Sequence, residues 1–235
     1  MIRRRYADTR DGQVHLRESG PARAPVIAFF HQTASSGAMF ETVMELLTPR
    51  YRCLSFDTPG FGQSYQPEDI PDLRYLAERL VEAIEDLGVR DYHACGHHTG
   101  GCVALEMGVR PGNAMRSLTL IGPVLANEAE RAEYSKIFLR PFQVEPGGAF
   151  LQTAWDYLRG IGAADTVDLH LREMIDHLIA HRTMPMAFGG VWKQDVEALY
   201  RAIRVPLHIM CSTDDVLWPL FERAGTLRPD ARRSI

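Results

Sequence analysis

Apolar residues fall into two alternating textures along the chain. "APVIAFFH" (24–31) and "RCLSFD" (52–57) are continuous apolar runs, too short for helices and suited to strands buried on both faces. Between them and after them the spacing changes. Leu73, Leu76, Leu80, Ile84 and Leu87 recur at steps of three and four, which predicts a helix with one side against a sheet and Gly88 as its stop. "YHACG" then reads as a strand, "GGCVALEMGVR" as a helix ended by Pro111, and "MRSLTLIG" (115–122) as a strand. Alternating strands and helices predict an α/β fold, a mostly parallel central sheet flanked by helices.

After Gly122 the texture changes again. From Leu125 to about Arg204 there is helical periodicity without a strand, broken at "EPGG" (145–148), "GIGAAD" (160–165) and "MP" (184–185). In "VDLHLREMIDHLIAHR", Leu169, Met174 and Leu178 are expected to form the apolar side. "VPLHIMC" (205–211) returns to a buried strand. The simplest organisation is a core made of 1–122 and 205–235 with an inserted helical cap at 123–204.

Composition narrows the function classes. The 235 residues carry a formal net charge of −4, which argues against binding nucleic acid, since a phosphate backbone needs a concentrated cationic surface. "IRRR" and "ARR" near the two ends are short and read as solvated. No run approaches the length of a membrane span, and the N-terminus lacks the apolar stretch of a signal peptide. Cys53, Cys95, Cys102 and Cys211 have no CxxC spacing and read as buried free thiols of a reducing compartment. These features together predict a cytoplasmic protein; the oligomeric state stays open.

Ligands of parallel α/β sheets bind at the carboxyl ends of the strands. Four polar clusters stand there: "HQTASSG", "DTPGFGQS", "GHHTGG" and "STDDVLWP". In this combination the chain resembles the α/β-hydrolase superfamily over essentially its whole length. "HQTASSG" stands where the family has HG and a small-residue loop. "DTPGFGQS" is close to D-x-P-G-x-G-x-S, "GHHTGG" matches the G-x-S-x-G nucleophile elbow, and "STDDVLWP" matches the acid-bearing turn. A strand turning sharply into a helix strains and exposes its central residue, and Gly96 and Gly100 fit where backbones approach without room for a Cβ.

The resemblance implies that His98 occupies the nucleophile position, with His97 before it as a support for the turn. It implies an oxyanion hole from the backbone N–H of Thr99 and one near Gln32 or Thr33, and an acid at Asp214 or Asp215. His31 is placed beside the oxyanion loop, and His31, Gln32 and Trp218 are candidate pocket residues. The chain departs from the family twice. A histidine replaces the serine, and no histidine follows the acid, since the last of the nine is His208. The family's further strand, histidine loop and closing helix would lie beyond Ile235, so the C-terminal part of the core is expected to be missing.

For His98 three roles stand open: general base, nucleophile through an acyl-imidazole, or a residue of a fold that binds without reacting. Imidazole titrates near neutral pH, which suits the first. Ser64 is the substitute nucleophile to exclude. A metal site from His31, His97, His98 and Asp57 is not expected, because adjacent histidines should point different ways and no ligand spacing such as HExxH is present. No cofactor is expected. The leading reading is hydrolysis of a small, apolar or aromatic ester, lactone or related carbonyl compound. The alternatives are a lyase or isomerase using His98 for proton transfer, and a ligand-binding protein.

Overall fold

A computed structural model describes all residues except 139–142, inside the expected cap, and 163, inside the break at 160–165. The chain opens with a hairpin that periodicity did not reveal, β1 (Arg3–Thr9) and β2 (Gly12–Ser19), paired antiparallel. β1 is mostly exposed and reads RRRYADT, so it carries no buried apolar run. The expected strands follow as β3 (Val26–Phe30), β4 (Arg52–Phe56), β5 (Tyr92–His97), β6 (Met115–Ile121) and β7 (Leu207–Met210). A final short strand, β8 (Arg232–Ser234), pairs parallel with β7.

The eight strands run in the order β1-β2-β4-β3-β5-β6-β7-β8. From β4 to β8 every neighbouring pair is parallel. Helices α1 (Glu41–Leu47), α2 (Leu73–Asp86), α3 (Thr99–Val109) and α9 (Trp218–Leu227) flank the sheet. In α2 the predicted stripe is buried at Leu73, Leu76, Leu80 and Ile84, each contributing about 1.5–3 kcal/mol by leaving water. Gly88 follows in the left-handed conformation, φ 68°, which suits a residue without a Cβ.

Among the described residues, five helices lie between β6 and β7: α4 (Glu128–Phe138), α5 (Ala149–Gly160), α6 (Val167–Ile179), α7 (Thr183–Lys193) and α8 (Val196–Ala202). α7 and α8 pack against α3, and Tyr200 of α8 is fully buried in the main core. α6 differs from its expected pattern. Its buried face is His170, Glu173, Met174, Asp176 and His177, while Leu169, Leu171 and Ile175 are exposed.

Asp57, at the end of β4, ties the loops above the sheet together. Its carboxylate accepts from Arg17 Nη1 (2.8 Å), His15 Nδ1 (2.9 Å) and the backbone N–H groups of Gly37 (2.8 Å) and Gln63 (2.9 Å). Burial opposes its charge, but the His15 hydrogen bond, the Arg17 charge and the Gln63 N–H outweigh it and hold Asp57 at about 2. That stabilisation is complete above the ordinary carboxylate range and is lost as pH falls towards 2. Asp57→Asn removes the buried one of Arg17's two carboxylate partners and leaves only the partly exposed Glu41 at 2.8 Å, and we expect it to cost about 3 kcal/mol in urea unfolding at neutral pH. A change under about 1 kcal/mol would contradict this role.

Candidate active site

β5 ends at His97 and α3 begins at Thr99, so the whole change of direction falls on His98. Its backbone adopts φ 47°, ψ −113°, and it is the one non-glycine residue with positive φ among those described. Such a conformation costs about 1–3 kcal/mol and persists only where the surroundings enforce it. The glycines supply that enforcement. A Cβ on Gly96 would lie 2.5 Å from the Gly100 carbonyl oxygen and the Gly101 nitrogen, and one on Gly100 would overlap the Phe30 carbonyl at the end of β3. The turn is clamped between two strands.

The turn aims the His98 ring at the end of β7. His98 Nε2 lies 2.9 Å from Asp215 Oδ2, and the two side chains remain 22% and 14% exposed, so a small molecule can reach them. Burial raises the affinity of Asp215 for a proton, but the hydrogen bond and charge of His98 outweigh burial and hold the carboxyl below its ordinary value. An ionised carboxylate only accepts, so Nε2 is the donor, and the neutral form of the ring keeps its lone pair on Nδ1. Asp215 Oδ1 accepts from the Leu217 N–H at 2.8 Å, which fixes the carboxylate. Asp214 is exposed and bonded to the Ser212 hydroxyl. Of the two aspartates, Asp215 is the one that meets His98.

Gly122, at the end of β6, makes room for this pair. Its φ is 55°, and a Cβ there would overlap the His98 ring and approach Asp215 Oδ2 to 2.9 Å. His97 lies beneath, its ring centroid 4.2 Å from that of His98. Burial first, then the neighbouring His98, depress its basicity to about 3, so it is neutral at physiological pH. His97 Nδ1 is buried with no hydrogen-bond partner. One ring nitrogen of each histidine and one Asp215 oxygen lie within 4.8 Å of each other, a set that could hold a metal ion. The expectation that the adjacent histidines diverge is therefore corrected. Side chains alternate along a strand, but the strand ends at His97 and the positive φ of His98 breaks the alternation.

The remaining sequence candidates divide. Thr33 Oγ1 donates to Thr99 Oγ1 at 2.9 Å, which joins the loop after β3 to the start of α3. The backbone N–H groups of Thr33 and Thr99 have no acceptor among the described residues. His31 is committed on both sides. Its Nε2 accepts from the Thr58 N–H (2.9 Å), so its Nδ1 carries the proton and donates to the Gln32 carbonyl (2.7 Å). Burial also lowers its basicity. Ser64 is buried, donates to the Asp57 carbonyl and accepts from the His15 N–H, so its hydroxyl is spent on structure. Trp218 packs on Phe221, with ring centroids 5.2 Å apart, and its backbone N–H donates to the Asp215 carbonyl. Trp155 stacks edge-on against His170, and Trp192 packs with Tyr134 and Phe188. The tryptophans have packing partners and lend no support to an aromatic substrate.

Two residues of the α6 helix escaped the sequence reading. Asp176 accepts from the Ser36 hydroxyl (2.7 Å) and Glu173 from the Ser35 hydroxyl (3.4 Å), which docks α6 on the loop after β3. The signal was present as a polar stripe, His170, Glu173 and His177, at helical spacing. Burial lifts Asp176 to about 6, against the opposing Ser36 hydrogen bond.

Comparisons with known proteins bear on the fold and its family. The alpha/beta hydrolase fold family matches residues 25–153, more than half of the chain. This chain belongs to that family. A 3-oxoadipate enol-lactonase of Acinetobacter baylyi is 30% identical over 120 residues, 51% of this chain and 43% of that protein, so the match spans less than half of the lactonase. An uncharacterized carboxylesterase, nap, of Bacillus subtilis is 23% identical over 98% of the chain and 77% of its own length. A hydrolase from Pseudomonas aeruginosa PA01 superposes with a TM-score of 0.81 at 21% identity, covering 98% of this chain and 89% of that one. No helix among the described residues is long and apolar enough to cross a membrane.

Two outcomes follow from this geometry. Gly122→Ala should displace the His98 ring from Asp215 while costing about 1–2 kcal/mol, since alanine tolerates positive φ poorly. The ring ¹⁵N shifts of His98 report it, and unchanged shifts in a folded variant would refute the packing. Asp176, an acid with a raised pKa, loses stability for the fold as pH rises from the ordinary carboxylate range through about 6. Asp176→Asn should therefore gain about 1–2 kcal/mol over the parent at pH 8, with the gap closing towards pH 4 in calorimetric melts. A gap independent of pH would show that Asp176 carries its charge freely.

Proposed function

We propose that the chain hydrolyses a small ester or lactone, with His98 as general base. The observation that carries this reading is the strained His98 held against Asp215 at 2.9 Å, at the strand end where the family places its reacting residue. Asp215 holds the Nε2–H, orients the ring and balances the imidazolium that forms. Nδ1 accepts a proton from water, and the hydroxide equivalent adds to the carbonyl carbon. The N–H groups of Thr99 and Thr33 donate to the developing oxyanion, the first at a helix N-terminus where partial positive charge gathers. Collapse of the adduct breaks its bond to the leaving oxygen, and the departing alkoxide takes the proton from His98, which leaves the acid, the alcohol and the neutral ring.

Water as attacking group needs no covalent intermediate and so accommodates a histidine in the place of the family's serine. The substrate class rests on relatives named for enol-lactone and carboxylester hydrolysis. The helices between β6 and β7 are proposed as the cap that shapes the pocket, docked through Ser35 and Ser36.

A panel of short-chain esters and lactones tests the reading. His98→Ala should lower kcat/KM by about 10²–10⁴ for any substrate turned over, the range of general-base catalysis. A serine-directed fluorophosphonate should leave the protein unlabelled. Equal turnover by wild type and His98→Ala would end the proposal. Tight ligand binding without turnover, preserved in His98→Ala, would favour the binding-protein reading instead.

A further inference from the structure

We infer that His97, His98 and Asp215 form a binding site for one divalent transition-metal ion of the zinc class. Two independent observations meet here. One ligand atom from each of the three side chains falls within 4.8 Å of the others, close enough for modest ring rotations to bring all three onto a common ion. Separately, His97 Nδ1 is buried without a hydrogen-bond partner, although a buried polar atom with nothing to bond is costly and uncommon. A bound cation in this cluster would give the His97 ring a polar partner.

The donor set fixes the class of ion. Two imidazoles and one carboxylate suit zinc, cobalt, nickel or iron(II), whereas calcium and magnesium select oxygen donors. Three protein ligands also leave at least one coordination position open for water or a substrate oxygen. The backbone provides the convergence. His97 closes β5, and the positive φ at His98 brings the next side chain round to the same side, where Asp215 arrives from the end of β7. Gly122 keeps the space beside the His98 ring clear. The other buried histidine of the region, His31, has both ring nitrogens occupied by backbone groups and is unavailable.

An ion held by His98 and Asp215 would compete with their direct hydrogen bond, so metal binding is measured by itself, with no substrate present. The experiment uses untagged protein stripped with a chelator and titrated with zinc by calorimetry and with cobalt by its visible d–d absorption. One ion per chain is expected, with a cobalt spectrum of mixed nitrogen and oxygen ligation. His97→Gln and Asp215→Asn should each weaken binding by more than about 100-fold, beyond the loss typical of outer-shell changes. Asp214→Asn should leave it unchanged. Zinc should raise the melting temperature of the wild type and of Asp214→Asn, and not that of the other two variants, whose folding is checked by circular dichroism. Should either of them fail to fold, His98→Gln takes its place. No saturable binding, or binding indifferent to His97 and Asp215, would overturn the site and leave only adventitious metal.

Discussion

The site depends on one constraint, the clamp on the β5–α3 turn. Gly100 presses α3 against the carbonyl of Phe30, and Gly96 lets the two arms of the turn close on each other. With those contacts in place, His98 has no relaxed conformation available, and its ring must project from the sheet. A larger residue at either glycine would open the turn and release His98 into an ordinary conformation. The strain is thus paid by core packing and spent on placing one imidazole.

Everything near His98 can be understood as support for that placement. Gly122 clears a space for the ring, Asp215 anchors its Nε2, and Leu217 anchors Asp215. The Thr33–Thr99 hydrogen bond fixes the loop after β3 to the first turn of α3. Farther out, Asp57 holds that loop through Gly37, and Glu173 and Asp176 hold it through Ser35 and Ser36. The buried carboxylates of this region act on loops, and Asp215 alone of those described acts on His98.

Much of this was legible in the sequence because it obeys local rules. Buried parallel strands show as unbroken apolar runs, α2 shows its stripe, and the glycines of "GHHTGG" mark a turn that only glycines can pack. What local pattern could not carry was set by tertiary partners. β1 has no buried run because it is held by backbone pairing with β2 at the sheet edge. α6 turns its polar stripe inward because Ser35 and Ser36 wait there, overriding the leucines that would otherwise define its face. Asp214 and Asp215 are adjacent and chemically identical, and only the path of the chain after β7 decides which one meets the histidine. The convergence of His97 and His98 was hidden for a related reason, since alternation along a strand predicts the opposite unless the break at His98 is known.

In the proposed reaction His98 and Asp215 act as one unit. A double-mutant cycle on ester or lactone turnover measures this directly. Asp215→Ala should sharply lower kcat/KM in the parent but change nothing further once His98 is alanine, while Asp214→Ala should be silent in both backgrounds. Independent, multiplying losses from His98→Ala and Asp215→Ala would contradict it.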